Sequence, residues 1–116
     1  MSSSARDVVL VLTTFGADVD AAAFARTIVE ERLAACVNVL PRVTSVYRWQ
    51  GEVEQNEEVL LVIKTAATVD LERLKDRLLT VHPYDVPELL LLPVSYGLDK
   101  YLDWMVESMT SAGDRS

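Results

Sequence analysis

Runs and alternations of apolar residues divide the chain into strands and helices. Residues Asp7–Thr14 contain the continuous apolar run Val8–Leu12, which is typical of a strand covered on both faces and therefore central in a sheet. Gly16 is expected to break this strand. Over Ala21–Leu33 the apolar side chains recur on one helical stripe. The first helix is predicted there.

A long β-hairpin is predicted around the tight turn Gln50-Gly51. Apolar and polar residues alternate along Cys36–Arg48, which is the pattern of a strand with one buried face. Pro41 interrupts the alternation, and because proline cannot donate to a ladder, a bulge or an edge position is expected there. The return arm, Val53–Thr65, ends in a dense apolar run. The outer half of the hairpin, around Glu52, Glu54, Gln55, Asn56 and Glu57, is polar and should project beyond the domain.

The second half of the chain predicts a helix, a strand and a further helix. Apolar residues recur at intervals of three and four over Val69–His82, where Pro83 should end the second helix. The run Pro87–Pro93 predicts a strand bracketed by prolines. The segment Leu98–Met109 predicts a third helix.

The order of the predicted elements, βαββαβ followed by a third helix, is that of a ferredoxin-like α+β fold. It predicts one domain over residues 7–109, with short disordered tails at 1–6 and 110–116. Right-handed crossovers place the first two helices on one face of an antiparallel sheet. Because the strands are apolar on both sides, either the third helix or other subunits must cover the opposite face. This imbalance predicts oligomerisation.

Charge and composition exclude several classes of function. The formal net charge is −7, with 18 acidic and 11 basic residues and no basic tract, which argues against binding to nucleic acid. No run of about 18 apolar residues occurs, so no membrane-spanning segment is predicted. The single cysteine, Cys36, cannot form an intrachain disulfide and fits a reducing, cytoplasmic environment.

The motifs of common enzymes and cofactor sites are missing from the sequence. It contains no zinc-ligand spacing, glycine-rich phosphate loop, Walker sequence or HExxH motif. A catalytic triad would depend on the single histidine, His82, which no nucleophile motif accompanies. The acidic pairs Glu30-Glu31 and Glu57-Glu58 are interpreted as solvated faces. An enzyme is therefore not predicted.

Six stretches of the sequence resemble a single family. They are Glu31–Asn38, Thr44–Gly51, Leu61–Thr65, His82–Glu88, Leu92–Val94 and Tyr101–Trp104. In uninterrupted order, over about residues 7–108, they resemble the CutA divalent-cation tolerance family. The resemblance implies a ferredoxin-like fold with a long hairpin, assembled as a homotrimer like that of the PII signal-transduction proteins. It also implies cytoplasmic residence and a link to tolerance of copper and other divalent metal ions.

His82 and Cys36 are the candidate metal ligands. Neutral imidazole binds Cu(II) and a thiolate prefers Cu(I), so no tightly bound cofactor is expected and a weakly bound copper ion is the candidate. Both residues also have structural interpretations, His82 as a cap of helix carbonyls and Cys36 as a small buried hydrophobe. Family members with proposed copper ligands can carry a second histidine and a cysteine where this chain has Val81 and Thr13 or its neighbour.

Two further pairs of residues are candidate contacts in the assembly. Lys64 is interpreted first as a surface lysine whose stem packs on the strand. The alternative is that its ammonium group contacts an anion or carboxylate in a cleft between subunits, near Tyr84 and His82 in the trimer that the resemblance implies. Tyr47 and Trp49 are expected to pack in the trimer interface, where aromatic residues are enriched, with a ligand platform as the alternative. The predicted partners are other copies of the chain and divalent metal ions.

Three hypotheses about function follow from the sequence. The first is a CutA-like homotrimer that takes part in divalent-cation tolerance and binds copper weakly. The second is a PII-like sensor that binds a small anionic metabolite between subunits. The third is a passive assembly scaffold. A calorimetric screen of copper salts against organic anions separates the three.

Overall fold

A computed structural model describes residues 7–82 and 86–110 of the chain. Its elements are β1 (Val8–Gly16), α1 (Ala21–Glu30), β2 (Cys36–Trp49), β3 (Glu52–Ala66), α2 (Leu71–Val81), β4 (Leu90–Pro93) and α3 (Asp99–Ser108). The strand order in the sheet is β2-β3-β1-β4, and every pairing is antiparallel. This is the predicted ferredoxin-like α+β fold with an additional C-terminal helix. The predicted tails lie outside the described residues, apart from Thr110.

β1 is longer than the sequence predicts. Gly16 does not break the strand but ends it, paired with Glu58 of β3, and Phe15 pairs with Val59. The side chain of Phe15 is fully buried and meets the ring of Phe24 edge-on, with 5.3 Å between the ring centroids. Burial of this aromatic ring keeps the chain in the sheet for two more residues.

The hydrophobic core lies between the sheet and the helices α1 and α2. Alternate residues of the strands face these helices, as the period of two requires. Its fully buried members are Val11, Phe15, Ile28, Leu61, Ile63, Leu74 and Leu78. α1 and α2 therefore cover most of this face within one chain, and Leu91 on the edge strand β4 remains exposed there.

α1 and α2 both begin at an aspartate. The carboxylate of Asp20 and that of Asp70 each accept a hydrogen bond from the backbone amide three residues further on. Because Asp70 caps α2, the helix begins at Leu71 rather than at the predicted Val69. It ends at Val81, one residue before the predicted end, because the backbone is already extended at the next residue.

α1 ends at Glu30 rather than at the predicted Leu33. Arg32 takes a left-handed backbone conformation with φ of 60°. The Leu33 amide donates to the Ile28 carbonyl at 2.9 Å, and the Arg32 amide to the Val29 carbonyl at 3.0 Å. This is a Schellman motif, which usually has glycine at the left-handed position. With arginine there, the sequence carries no recognisable stop signal.

The hairpin turn has the predicted position. Gln50 and Gly51 have φ of 50° and 83°, as a two-residue turn between twisted strands requires. β1 ends at Gly16, opposite the inner part of β3. The six outermost residue pairs, between 44–49 and 52–57, therefore have no third strand beside them. This outer half of the hairpin projects from the sheet, as predicted.

The bulge expected at Pro41 is also present. The register between β2 and β3 shifts between Leu40 and Val43, and Arg42 has φ of 65°. The extra residues reverse which side of β2 faces the core. Between the bulge and the turn, odd-numbered residues of β2 therefore share a face with the even-numbered residues of β3.

β4 begins at Leu90, later than the predicted Pro87. Before Leu90, a side-chain hydrogen bond takes the place of backbone pairing with β1: the Thr13 hydroxyl donates to the Glu88 carbonyl at 2.8 Å. The connection between α2 and β4 is thereby attached to β1. α3 lies one residue inside its predicted bounds at each end.

The second face of the sheet is only partly covered. α3 crosses one end of it, where Met105 packs against Val8 and Ala35. The remaining apolar side chains on this face are Leu10, Leu12, Leu40, Leu60, Val62, Leu90 and Leu92, which we call the open face. Three of these leucines are more than a third exposed. The imbalance between the two faces that the sequence predicts is therefore present in the chain.

Candidate functional site

His82 lies where α2 ends and is almost fully buried, with 9% of its surface exposed. Its ring nitrogen Nε2 is 2.6 Å from the carbonyl oxygen of Thr14, and its ring lies 4.9 Å from that of Phe15. Because a carbonyl oxygen can only accept, Nε2 carries the proton in this bond. A metal ion that binds at Nε2 would have to break this hydrogen bond.

Cys36, the second candidate ligand, is half-buried at the start of β2. It pairs with Lys64, which pairs with Leu10 of β1, whereas His82 contacts Thr14 four residues further along β1. Four residues of strand span about 13 Å, and two strand spacings add to this separation. The structure therefore does not bring the histidine and the cysteine together within one chain.

Metal ligands do not cluster in the described residues. Among residues 7–82 and 86–110, no group of three or more His, Cys, Asp or Glu side chains is arranged so that it could hold a metal ion. A closed four-ligand site needs such a group. His82 and Cys36 can each offer one ligand, and further protein ligands would come from another copy of the chain.

Lys64 lies on the same face of β3 as the open face, half-buried beneath α3. Its ammonium nitrogen is 5.8 Å from the centre of the Tyr101 ring, and Tyr101 in turn lies 5.4 Å from Trp104. An ammonium group over an aromatic face is an attractive arrangement. Tyr84, the other candidate for a ligand cleft, lies outside the described residues.

Tyr47 and Trp49 lie on the projecting part of the hairpin, and both are about two-fifths exposed. The side-chain amide of Asn56 donates a hydrogen bond to the Tyr47 hydroxyl across the two strands. This bond restrains the tyrosine ring beside the indole. Both rings therefore offer apolar surface that a neighbouring molecule could cover.

A cavity of about 870 Å³ lies at the base of the hairpin. We call it the hairpin cavity; its lining residues are Thr14, Gly16, Ser45, Val46, Tyr47, Trp49, Asn56, Glu57, Glu58, Val86 and Glu88. Three of them are glutamates, and none of the described lining residues is lysine or arginine. The sequence analysis missed this site, because it assigned Glu57 and Glu58 to a solvated face. Glu58 is in fact only 7% exposed.

A charged contact joins the two helices on the covered face. Glu31, just after α1, accepts a hydrogen bond from Arg77 at 2.8 Å and lies 3.5 Å from Arg73, both on α2. The hydrogen bond from Arg77, with the positive charges of both arginines, lowers the pKa of the Glu31 carboxyl. The same bond raises the pKa of Arg77.

The comparisons with known proteins identify the family. The family model described as CutA1 divalent ion tolerance protein matches residues 9–108, which is most of the chain. The chain belongs to the CutA1 family. The resemblance seen in the sequence is thereby confirmed.

Individual relatives agree with this assignment. The divalent-cation tolerance protein CutA of Thermus thermophilus is 48% identical over 99 residues, covering 85% of this chain and 95% of that protein. Protein CutA of Homo sapiens is 46% identical over 90 residues; the match covers 78% of this chain but only 50% of the human protein. The solved structure of the PII-like protein CutA from Nostoc is 36% identical, with a TM-score of 0.76 over 88% of this chain and 97% of that one.

The CutA1 chain has a fold shared with PII-like proteins, as the sequence predicts. Within its described residues, no helix is long and apolar enough to cross a membrane.

Proposed function

We propose that this CutA1 chain is a non-enzymatic, cytoplasmic homotrimer that takes part in divalent-cation tolerance and binds copper weakly through His82. The observation that carries the proposal is the open face, in a chain whose relatives are named divalent-cation tolerance proteins. Seven apolar side chains on one side of a four-stranded sheet need a partner surface. Other copies of the same chain can supply it.

The projecting hairpin supports assembly as well. A two-stranded ribbon with exposed aromatic rings is marginal alone in water and gains stability by lying against another surface. Tyr47 and Trp49 would then be buried between subunits, as proposed from the sequence. The number of copies, three, is the one that the resemblance to this family implies.

The copper part of the proposal rests on His82. Its imidazole is a ligand that suits Cu(II), and binding at Nε2 would displace the hydrogen bond to the Thr14 carbonyl. A single imidazole assisted by water and carboxylates binds less tightly than a closed set of ligands. Protons compete with the metal for the same nitrogen, so binding should weaken as the pH falls.

A titration with Cu(II) at neutral pH, in competition with a chelator and read by tryptophan quenching, tests this assignment. His82→Ala should weaken binding about tenfold or more. His82→Gln should do the same while keeping a donor for the Thr14 carbonyl, which separates loss of the ligand from loss of the hydrogen bond. Cys36→Ser should affect Cu(I) more than Cu(II). If both His82 variants bind Cu(II) as tightly as the parent, the ligand assignment is wrong.

A PII-like ligand sensor is the second candidate function. The half-buried ammonium of Lys64 beside Tyr101 favours it, because a partly desolvated cation attracts anions. Calorimetry with nucleotides and organic acids separates the candidates. Heat from an organic anion without metal, lost in Lys64→Gln, would support the sensor. Heat from copper alone would support the first proposal, and no heat from either would leave a scaffold.

A further inference from the structure

The open-face side of the sheet carries a cation without a counter-charge. Lys64 is the only lysine or arginine that the strand pairing places on this side. It is half-buried, and its ammonium nitrogen lies 5.8 Å from the centre of the Tyr101 ring. Within residues 7–82 and 86–110, no carboxylate forms an ion pair with it. Burial of a charge is costly unless an opposite charge accompanies it, so a carboxylate from outside the chain would stabilise this group.

The projecting half of the hairpin carries the complementary groups on the same side of β3. Trp49 pairs with Glu52 and Tyr47 pairs with Glu54, so the two rings and the two carboxylates share one face of the ribbon. All four side chains are exposed. Arg48 pairs with Val53 and therefore lies on the opposite face. The aromatic face of the hairpin is thus acidic and carries no cation.

A single chain cannot bring the two groups together. Glu54 and Lys64 lie ten residues apart on the same continuous strand, β3, and ten residues of strand span about 33 Å. This is far more than the two side chains can bridge. The projecting half of the hairpin, six residue pairs or about 20 Å long, matches the length of the open face from Leu60 to Ala66. A second copy can therefore lay its hairpin along this face.

We propose that the hairpin of one copy lies on the open face of the next, and that its Glu54 carboxylate pairs there with the Lys64 ammonium group. Trp49 and Tyr47 then pack against the exposed leucines of that face. This inference rests on the proposed homotrimer and adds to it which surfaces meet. Because the two surfaces are unlike, the interface is heterologous, and such interfaces close into rings or extend into filaments rather than forming a two-fold dimer.

The pairing also decides what Lys64 does in the assembly. Its ammonium group is covered by a side chain of the neighbouring copy, in a partly desolvated interface where complementary charges fix the register of the two surfaces. Lys64 is then a residue of the interface and is not open to a soluble anion. This separates the inference from the sensor, in which the same lysine binds a metabolite.

Reversal of either charge tests the contact. Glu54→Lys and Lys64→Glu each bring like charges together and should raise the chain concentration at which half of the assembly dissociates about tenfold or more. Size exclusion with light scattering over a dilution series measures this, at one fixed urea concentration if the parent stays assembled in buffer. Glu54 is exposed on the hairpin, so its replacement leaves the fold of the single chain intact, and circular dichroism checks both variants.

A rescue and a matched control identify the pair. The double variant with both Glu54→Lys and Lys64→Glu restores opposite charges and should recover most of the stability of the parent assembly. Glu57→Lys makes the same change of charge two strand positions beyond Gln55, on the face of the hairpin away from Trp49. It should leave the dissociation of the assembly unchanged.

The possible failures of this inference and of the proposed function differ in their results. A parent that runs as a monomer or as a two-fold dimer would contradict both. A trimeric parent in which the double variant is not rescued, or in which Glu54→Lys and Glu57→Lys behave alike, would overturn the pairing and leave the trimer supported. Saturable binding of succinate to the intact trimer, lost in Lys64→Gln, would also overturn it, because the lysine would then be open to an anion.

Discussion

Glu31 shows how one side chain can connect two helices that are far apart in sequence. Its carboxylate contacts Arg73 and Arg77, more than forty residues further along the chain. The pKa of this carboxyl is lowered in the folded protein, first by the hydrogen bond from Arg77. The folded state therefore holds the charged form more strongly than the unfolded state does. The resulting stabilisation is present above the unfolded pKa, about 4.3, and is lost as pH falls through the lower folded value.

Replacing Glu31 with glutamine should lower the thermal midpoint by a small amount at neutral pH. The contact is at the surface, so the difference from the parent should shrink in high salt. It should also shrink as the pH falls through the lowered pKa of Glu31 in the folded state, where the parent loses its charge as well. Thermal melts from pH 7 down to pH 3, at fixed protein concentration, measure this. Glu30→Gln, the neighbouring carboxylate, serves as the control. A difference that persists undiminished at pH 3 would contradict the assignment.

At the scale of elements, the hairpin depends on two residues with positive φ. Glycine takes this conformation without cost, but a side chain such as that of Gln50 is disfavoured there by about 1 kcal/mol. Asparagine tolerates it much better, which is why Asn-Gly is the preferred pair in such turns. Pairing of the strand ends on either side therefore holds Gln50 in a backbone conformation that is intrinsically unfavourable for glutamine.

Two substitutions at the turn should change stability in opposite directions. Gly51→Ala should destabilise the protein by about 1 kcal/mol, and the cause is backbone conformation alone, since an added Cβ would meet no atom within 4 Å. Gln50→Asn should stabilise by about 0.5 kcal/mol. Urea unfolding at one fixed chain concentration measures both. Equal midpoints for the two variants would show that the turn does not control hairpin stability.

At the scale of the whole molecule, the two faces of the sheet are covered to different extents and by different helices. α1 and α2 cover most of one face, while α3 covers only one end of the other. Val62 lies on the central strand β3, within the open face, and is half-buried in the single chain. A charge placed there would be tolerated in a monomer but would lie inside an assembled interface.

Val62→Glu should therefore convert the assembly to a folded monomer. The parent should have about three times the chain mass of 12.9 kDa, and the variant the chain mass alone. Size exclusion with light scattering measures both, and circular dichroism checks the fold. Leu79→Glu is the matched control, because Leu79 is 48% exposed on α2, away from the open face. A parent that runs as a monomer, or two variants with the same mass, would disprove assembly through this face.

Features set by local sequence signals could be predicted, whereas features set by contacts between distant segments could not. Apolar runs and the Gln50-Gly51 pair predict the sheet and its hairpin, because these signals are local. The end of α1 was not predictable, since Arg32 occupies a position where glycine is the usual signal. The hairpin cavity was not predictable either. Glu88 lines it together with residues of the hairpin because the segment before β4 is attached to β1 at Thr13, which no sequence period reveals.

The order of strands in the sheet has a consequence for how the chain is made. β2 and β3 are neighbours in sequence and can close on each other within microseconds through a two-residue turn. β1 leaves the ribosome first, yet both of its partners are synthesised later, β3 opposite it and β4 last of all. During synthesis, its apolar run has no strand to pair with until β3 is translated. A nascent β1 is thus the strand most exposed to wrong pairing, and the sheet is complete only when β4 pairs along the other edge of β1.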